Sequence, residues 1–247
     1  MDGNILTNTA ERAGSRYKLF LTALVSVYHQ YSQSARPGSP SNKKKALNDA
    51  YRLAGEFLVE EKNAIEDAVL GVAREAYSAT AEDAGDLPTI IMEHALALSQ
   101  ELEHTIRTQL ERDIAEVTKS LSSLNLKSNL ISLGKGVTFA AALSMLRNEE
   151  MPGRGFNYQD RIGRFIPSYK FIKTIWRKTL LMAWNETALF AMAMNGVTKA
   201  IISHPDESHK EYGTVIDILE SPEYVTWGQV KDDVFHPNSN AYLTPLV

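Results

Sequence analysis

Apolar residues recur along most of this chain at helical spacing. Phe20, Leu24, Val27, Tyr28 and Tyr31 fall on one face, and the pattern predicts a helix over residues 11–33. Residues 1–9 are polar and expected to be loose. The stretch RPGSPSN at 36–42 carries two prolines and a glycine and cannot continue a helix. From 43 to about 80 an apolar stripe returns, through Leu47, Ala50, Ala54, Phe57, Ile65, Val69, Val72 and Ala76. After a break at 81–88, Ile91, Leu98, Leu102, Ile106, Leu110, Ile114, Val117, Leu121 and Leu124 keep the same spacing to about residue 126. At ~1.5 Å per residue that helix would be roughly 55 Å long. Its outward face is expected to carry Glu101, Glu103, Arg107, Glu111, Arg112, Asp113 and Glu116. Residues 127–136 interrupt the pattern, a shorter helix follows over 137–147, and NEEMPGRG at 148–155 reads as a boundary.

The pattern is densest between 158 and 196. A basic loop hinged on Gly163 leads to Pro167 and Ser168, with Ser168 as the expected N-cap. Tyr169, Ile172, Trp176, Leu180, Ala183, Thr187, Phe190 and Met194 then share one helix face. Leu181, Met182, Leu189 and Met192 are apolar on the other sides, so the second half of this helix is expected to be buried. Asn195-Gly196 is a helix stop, because both residues tolerate the left-handed conformation. Beyond it the period changes: 197–203 and 213–219 are short β-branched runs that predict strands, and 236–247 reads as an irregular tail. The expected fold is mainly α: a long helical N-terminal arm or bundle over 1–150, then a small α+β domain over 151–247 built around a long central helix.

Composition narrows the function classes. The 247 residues are 44% hydrophobic, enough for a sizeable core. Without cysteine there is no disulfide, thiolate metal site or cysteine nucleophile. The longest apolar run near the N-terminus, 19–28, is too short for a membrane span, so no membrane anchor is expected. The net charge of −4 conceals an asymmetry. Acids crowd 56–116, whereas Arg161, Arg164, Lys170, Lys173, Arg177 and Lys178 face only Asp160 between 154 and 178. Lys170, Lys173 and Arg177 are spaced to share a helix face, and with Arg161 and Arg164 they form a candidate strip for phosphates or an acidic partner.

Candidate chemistry is sparse. Gly134-Lys135-Gly136 lacks the spacing and preceding strand of a phosphate loop. His204, Asp206, Glu207 and His209 place imidazoles and carboxylates in one loop that His236 could join, but the spacing matches no strong zinc template, and neither metal nor cofactor is expected. Glu186 lies in an apolar helix, either as a buried acid with a raised pKa or reaching a surface or an arginine such as Arg161 or Arg164.

The helix WNETALFAMAMNGVTKAII, the strands after it and a late His-Pro-Asn together resemble the Mu F-like minor head proteins of tailed phages. Asn185-Glu186 corresponds to the helix signature, 197–202 to the strand, and His236-Pro237-Asn238 to the terminal motif. The family's cysteine turn is replaced here by Asp206-Glu207-Ser208-His209, and its last two cysteines by Ser239 and Ala241. The resemblance implies a structural virion protein inside the head near the portal, present in several copies, contacting portal or other head proteins and packaged DNA. It would assist head assembly or leave with the DNA. The alternative is a metal-dependent or acid–base enzyme using Glu186 with His204, His209 and His236.

Overall fold

The computed structural model describes residues 3–81, 85–147, 155–219 and 224–246. The boundary expected at 148–155 lies almost entirely outside them. The protein is mainly helical. In chain order the elements are α1 (Gly3–Ser32), α2 (Pro40–Thr80), α3 (Thr89–Lys135), α4 (Phe139–Leu146), β1 (Asn157–Gln159), β2 (Phe165–Pro167), α5 (Ser168–Met194), β3 (Lys199–Ser203), β4 (Val215–Asp217), β5 (Val225–Thr226), α6 (Trp227–Val234) and β6 (Tyr242–Pro245). Among the described residues no helix is long and apolar enough to cross a membrane.

Four expectations about local structure are corrected. Residues 3–10 are helical rather than loose: Leu6 and Ala10 are buried, and the Thr7 hydroxyl donates to the Gly3 carbonyl at 2.8 Å. The helix α3 runs through 127–135, where the apolar stripe stops but no proline intervenes. Leu126, Leu130 and Leu133 stand exposed on that last part, and Gly136 ends it at φ 64°. The basic loop before α5 is a hairpin in which Tyr158 faces Ile166 and Gln159 faces Phe165. Its turn is built on Asp160, whose Oδ1 accepts from the backbone N–H of Ile162 and Arg164 at 3.1 and 2.8 Å. The Arg164 side chain holds that carboxyl below its ordinary pKa. Finally, the C-terminal tail contains β6.

The chain forms two compact units that do not follow chain order. One comprises Met1–Arg12, Lys62–Glu103 and Lys173–Val247; the other comprises Ala13–Glu61 and His104–Ile172. Their limits fall inside α1, α2, α3 and α5.

The second unit is held by helix packing and one buried polar network. Tyr17, Leu24, Tyr28, Ile106, Leu110, Ile114, Leu121 and Leu124 are fully buried. The Tyr17 ring lies edge-on to Phe57 at 5.7 Å. Asp113, expected on the outer face of its helix, is only 1% exposed. Its Oδ2 accepts from the Tyr17 hydroxyl at 2.7 Å, and its Oδ1 from the Ser168 hydroxyl at 2.9 Å and Gln109 Nε2 at 3.1 Å. Burial outweighs these donors and pushes the Asp113 carboxyl up to about 6. Ser168, expected as the N-cap, is instead the first residue of α5, and it spends its hydroxyl proton on a distant carboxylate.

The first unit carries a four-stranded sheet in the order β5-β4-β3-β6. Central β3 is antiparallel to β4 and β6, and β4 is parallel to β5. Ile202 faces Leu243 across the β3–β6 pair. The helix α5 ends as expected. Gly196 adopts φ 74°, its N–H reaches the Ala193 carbonyl at 3.1 Å, and the Val197 N–H reaches that of Met192 at 3.0 Å. Those two bonds form a Schellman motif. About three turns before Gly196, the buried Asn185 side chain accepts the Leu243 N–H at 2.9 Å and donates to the Leu181 carbonyl, also at 2.9 Å, tying α5 to β6.

Candidate functional site

A cavity of about 390 Å³ opens in the first unit, lined by His94, Glu186, Leu189, Phe190, Ala193, Ile218 and Trp227. The helix α5 supplies Glu186 and, at i+3, i+4 and i+7, Leu189, Phe190 and Ala193, so one face of one helix makes most of the wall. The opening turn of α6 supplies Trp227. That turn is fixed by Gln229, whose side chain accepts the Thr226 N–H at 2.9 Å, and the Trp227 ring leans on Phe235 with centroids 4.9 Å apart. Ile218 follows β4 and is anchored by its N–H on the Thr198 carbonyl at 2.9 Å. His94, near the start of α3, meets Phe190 edge-on at 5.3 Å.

Glu186 is the polar centre of this cavity. His94 Nε2 sits 2.6 Å from Glu186 Oε2, and Trp227 Nε1 donates to Oε1 at 3.2 Å. A carboxylate only accepts, so the His94 hydrogen is on Nε2. The side chains are 31% exposed for His94 and 14% for Glu186. Each carboxylate oxygen thus has one fixed N–H donor, and the group faces aromatic and aliphatic carbon. Neither Arg161 nor Arg164, the cations considered for Glu186 from sequence, is its partner; Arg164 Nε pairs with Asp160 at 2.7 Å.

The remaining basic residues have separate fates. Lys173 pairs with Glu11, and Lys178 with Asp232 at 3.0 Å. Arg177 is half-buried: it donates to the Pro237 carbonyl and, at 2.7 Å, to Asn240 Oδ1. Burial draws its pKa below the ordinary arginine value. Arg161 and Lys170 are exposed. The cation strip read from spacing is therefore chemically heterogeneous.

The histidine loop is local. His204 and His209 stack with ring centroids 4.4 Å apart, and Asp206 Oδ1 accepts from the Ser208 hydroxyl and N–H at 2.6 and 3.0 Å. Those Ser208 bonds hold the Asp206 carboxyl below its ordinary pKa. His236 is exposed and folds back on its own segment, with Nδ1 accepting the Asn238 N–H at 3.2 Å. Among the described residues no group of three or more His, Asp or Glu side chains is placed to hold a metal ion.

His94 and Trp227 have no signature in the sequence. They lie 92 residues before and 41 after Glu186, beyond any spacing rule. The one available signal was an acid in an apolar helix, which marked Glu186 alone. Comparison with protein families, curated proteins and solved structures finds no match to this chain.

Proposed function

We propose that this protein is a structural component of a tailed-phage head, of the Mu F-like minor head type, held inside the particle near the portal. One observation carries the reading. The segments on which the resemblance rests are bonded to each other in a single compact unit. Asn185, in the helix signature, accepts the N–H of Leu243 just beyond the terminal motif, and Arg177 on the same helix donates to the carbonyl of Pro237 within it. In this reading Asn185, Pro237 and Asn238 are framework residues, and His236 shapes the turn that presents Pro237.

Two surfaces support partner contacts. Leu126, Leu130 and Leu133 form an exposed apolar stripe on one face of α3, of a kind that meets another protein such as the portal or a neighbouring head protein. Arg161 and Lys170 offer exposed cations to the phosphates of packaged DNA. The protein then assists head assembly or leaves with the DNA, in several copies per particle.

Quantitative mass spectrometry of purified mature particles and of DNA-free proheads tests the assignment. Several copies per particle are expected in at least one form, and absence from both overturns it. For the DNA contact, the Arg161→Gln/Lys170→Gln variant should flatten the slope of log affinity against log salt by about 2, since each phosphate neutralised contributes about 0.9. An unchanged slope removes these two residues from the interface.

A further inference from the structure

We infer that the cavity around Glu186 is a binding site for a small organic cation, a primary ammonium group carried on an apolar or aromatic body. Two features lead there, and neither depends on the head assignment. The first is charge. Among the described lining residues Glu186 is the one acid, and there is no lysine or arginine beside it. Its two fixed donors, the His94 ring N–H and the Trp227 indole N–H, occupy one direction on each oxygen. A carboxylate offers about four lone-pair directions, so about half its accepting capacity is unspent.

The second feature is the character of the wall. Trp227 and Phe190 present aromatic rings, and Leu189, Ala193 and Ile218 present aliphatic carbon. Ring faces attract an ammonium within about 6 Å of the centroid, tryptophan most strongly. An anionic ligand would meet the carboxylate with no cation to offset it. A neutral apolar ligand would gain the wall but leave the carboxylate unanswered. The volume lies within the ~300–1,000 Å³ usual for small-molecule sites.

Isothermal titration of the full chain with phenethylammonium, 2-phenylethanol and phenylacetate tests this. These probes share a ring and differ in the charge of the head. Phenethylammonium should bind with one site per chain, at least about tenfold tighter than 2-phenylethanol, because a charged hydrogen bond is about twice as strong as a neutral one and ring attraction adds to it. Phenylacetate should not bind. Glu186→Gln should weaken phenethylammonium at least about tenfold while leaving 2-phenylethanol within about twofold. Ala193→Phe, which fills the cavity and keeps the charge, should abolish binding of both. Equal or tighter binding of the alcohol or the acid overturns the inference. So does an absence of binding by all three probes, or a Glu186→Gln variant that binds the ammonium as the parent does. If circular dichroism shows that Glu186→Gln does not fold, the probe ranking on the parent and the Ala193→Phe variant decide the question.

Discussion

Asp113→Asn should remove a pH dependence of stability that runs opposite to ordinary acid denaturation. The buried carboxyl titrates near 6 in the folded protein, against an ordinary value of 3.8. The folded state therefore binds a proton more tightly than the unfolded state, and stability is lost as pH rises through the interval between the two values. At 1.36 kcal/mol for each pKa unit, the whole interval corresponds to about 3 kcal/mol, absent well above pH 6 and fully present below about pH 4. Near pH 5 the folded carboxyl is about nine-tenths protonated while the unfolded one is still ionised, so about 1.4 kcal/mol of it should have returned relative to pH 7.5. Asparagine keeps the shape and cannot titrate. Its amide must donate towards Tyr17, because Ser168 and Gln109 already donate on the other side.

Urea unfolding of both proteins at about pH 7.5, 6 and 5 measures the effect, and the difference between them cancels carboxylates such as Asp160 and Asp206, whose depressed pKa values act in the opposite direction. The parent should gain on the variant by about 1.4 kcal/mol between the extremes. A flat difference, or a variant that gains on the parent as pH falls, would refute the assignment of the raised pKa to this buried network.

Three further outcomes follow from the first unit. Asn185→Ala should cost about 1–3 kcal/mol, because the Leu243 N–H is left buried without its acceptor, and hydrogen exchange at that amide should accelerate. Gly196→Ala should cost about 1–2 kcal/mol by urea titration, since a Cβ disfavours the left-handed conformation and the glycine's own surroundings are open. Arg177→Gln should lower the unfolding free energy by about 1.5–3 kcal/mol through the lost bonds to Pro237 and Asn240; a variant as stable as the parent would return Arg177 to the candidate surface cations.

Much of the helical frame was legible because hydrophobic periodicity reports burial, and most of α1, α2, α3 and α5 is buried on one side. The same fact explains where that reading stopped. At the end of α3 the helix continues without burying a stripe, so the pattern vanished while the backbone did not change. Asp113 looked like an outward acid because a helical wheel cannot see that Tyr17, Gln109 and Ser168 converge on it. Gly196 was readable because a left-handed residue has a local chemical requirement. The strand β6 was not, because it is held by Asn185 and by β3, both outside its own sequence. The cavity was half legible: an acid in an apolar helix is visible in sequence, whereas its imidazole and indole partners are long-range choices of the fold.

The interleaving of the two units has a consequence for synthesis on the ribosome. The unit made of Ala13–Glu61 and His104–Ile172 has all its residues once position 172 has emerged. The other must wait for Leu243, whose N–H closes the bond to Asn185. At about 5–20 residues per second, those roughly 70 residues take several seconds or more. During that time Met1–Arg12 and Lys62–Glu103, made first, have no completed unit to join, and their apolar faces are open to chaperones or to the wrong neighbour.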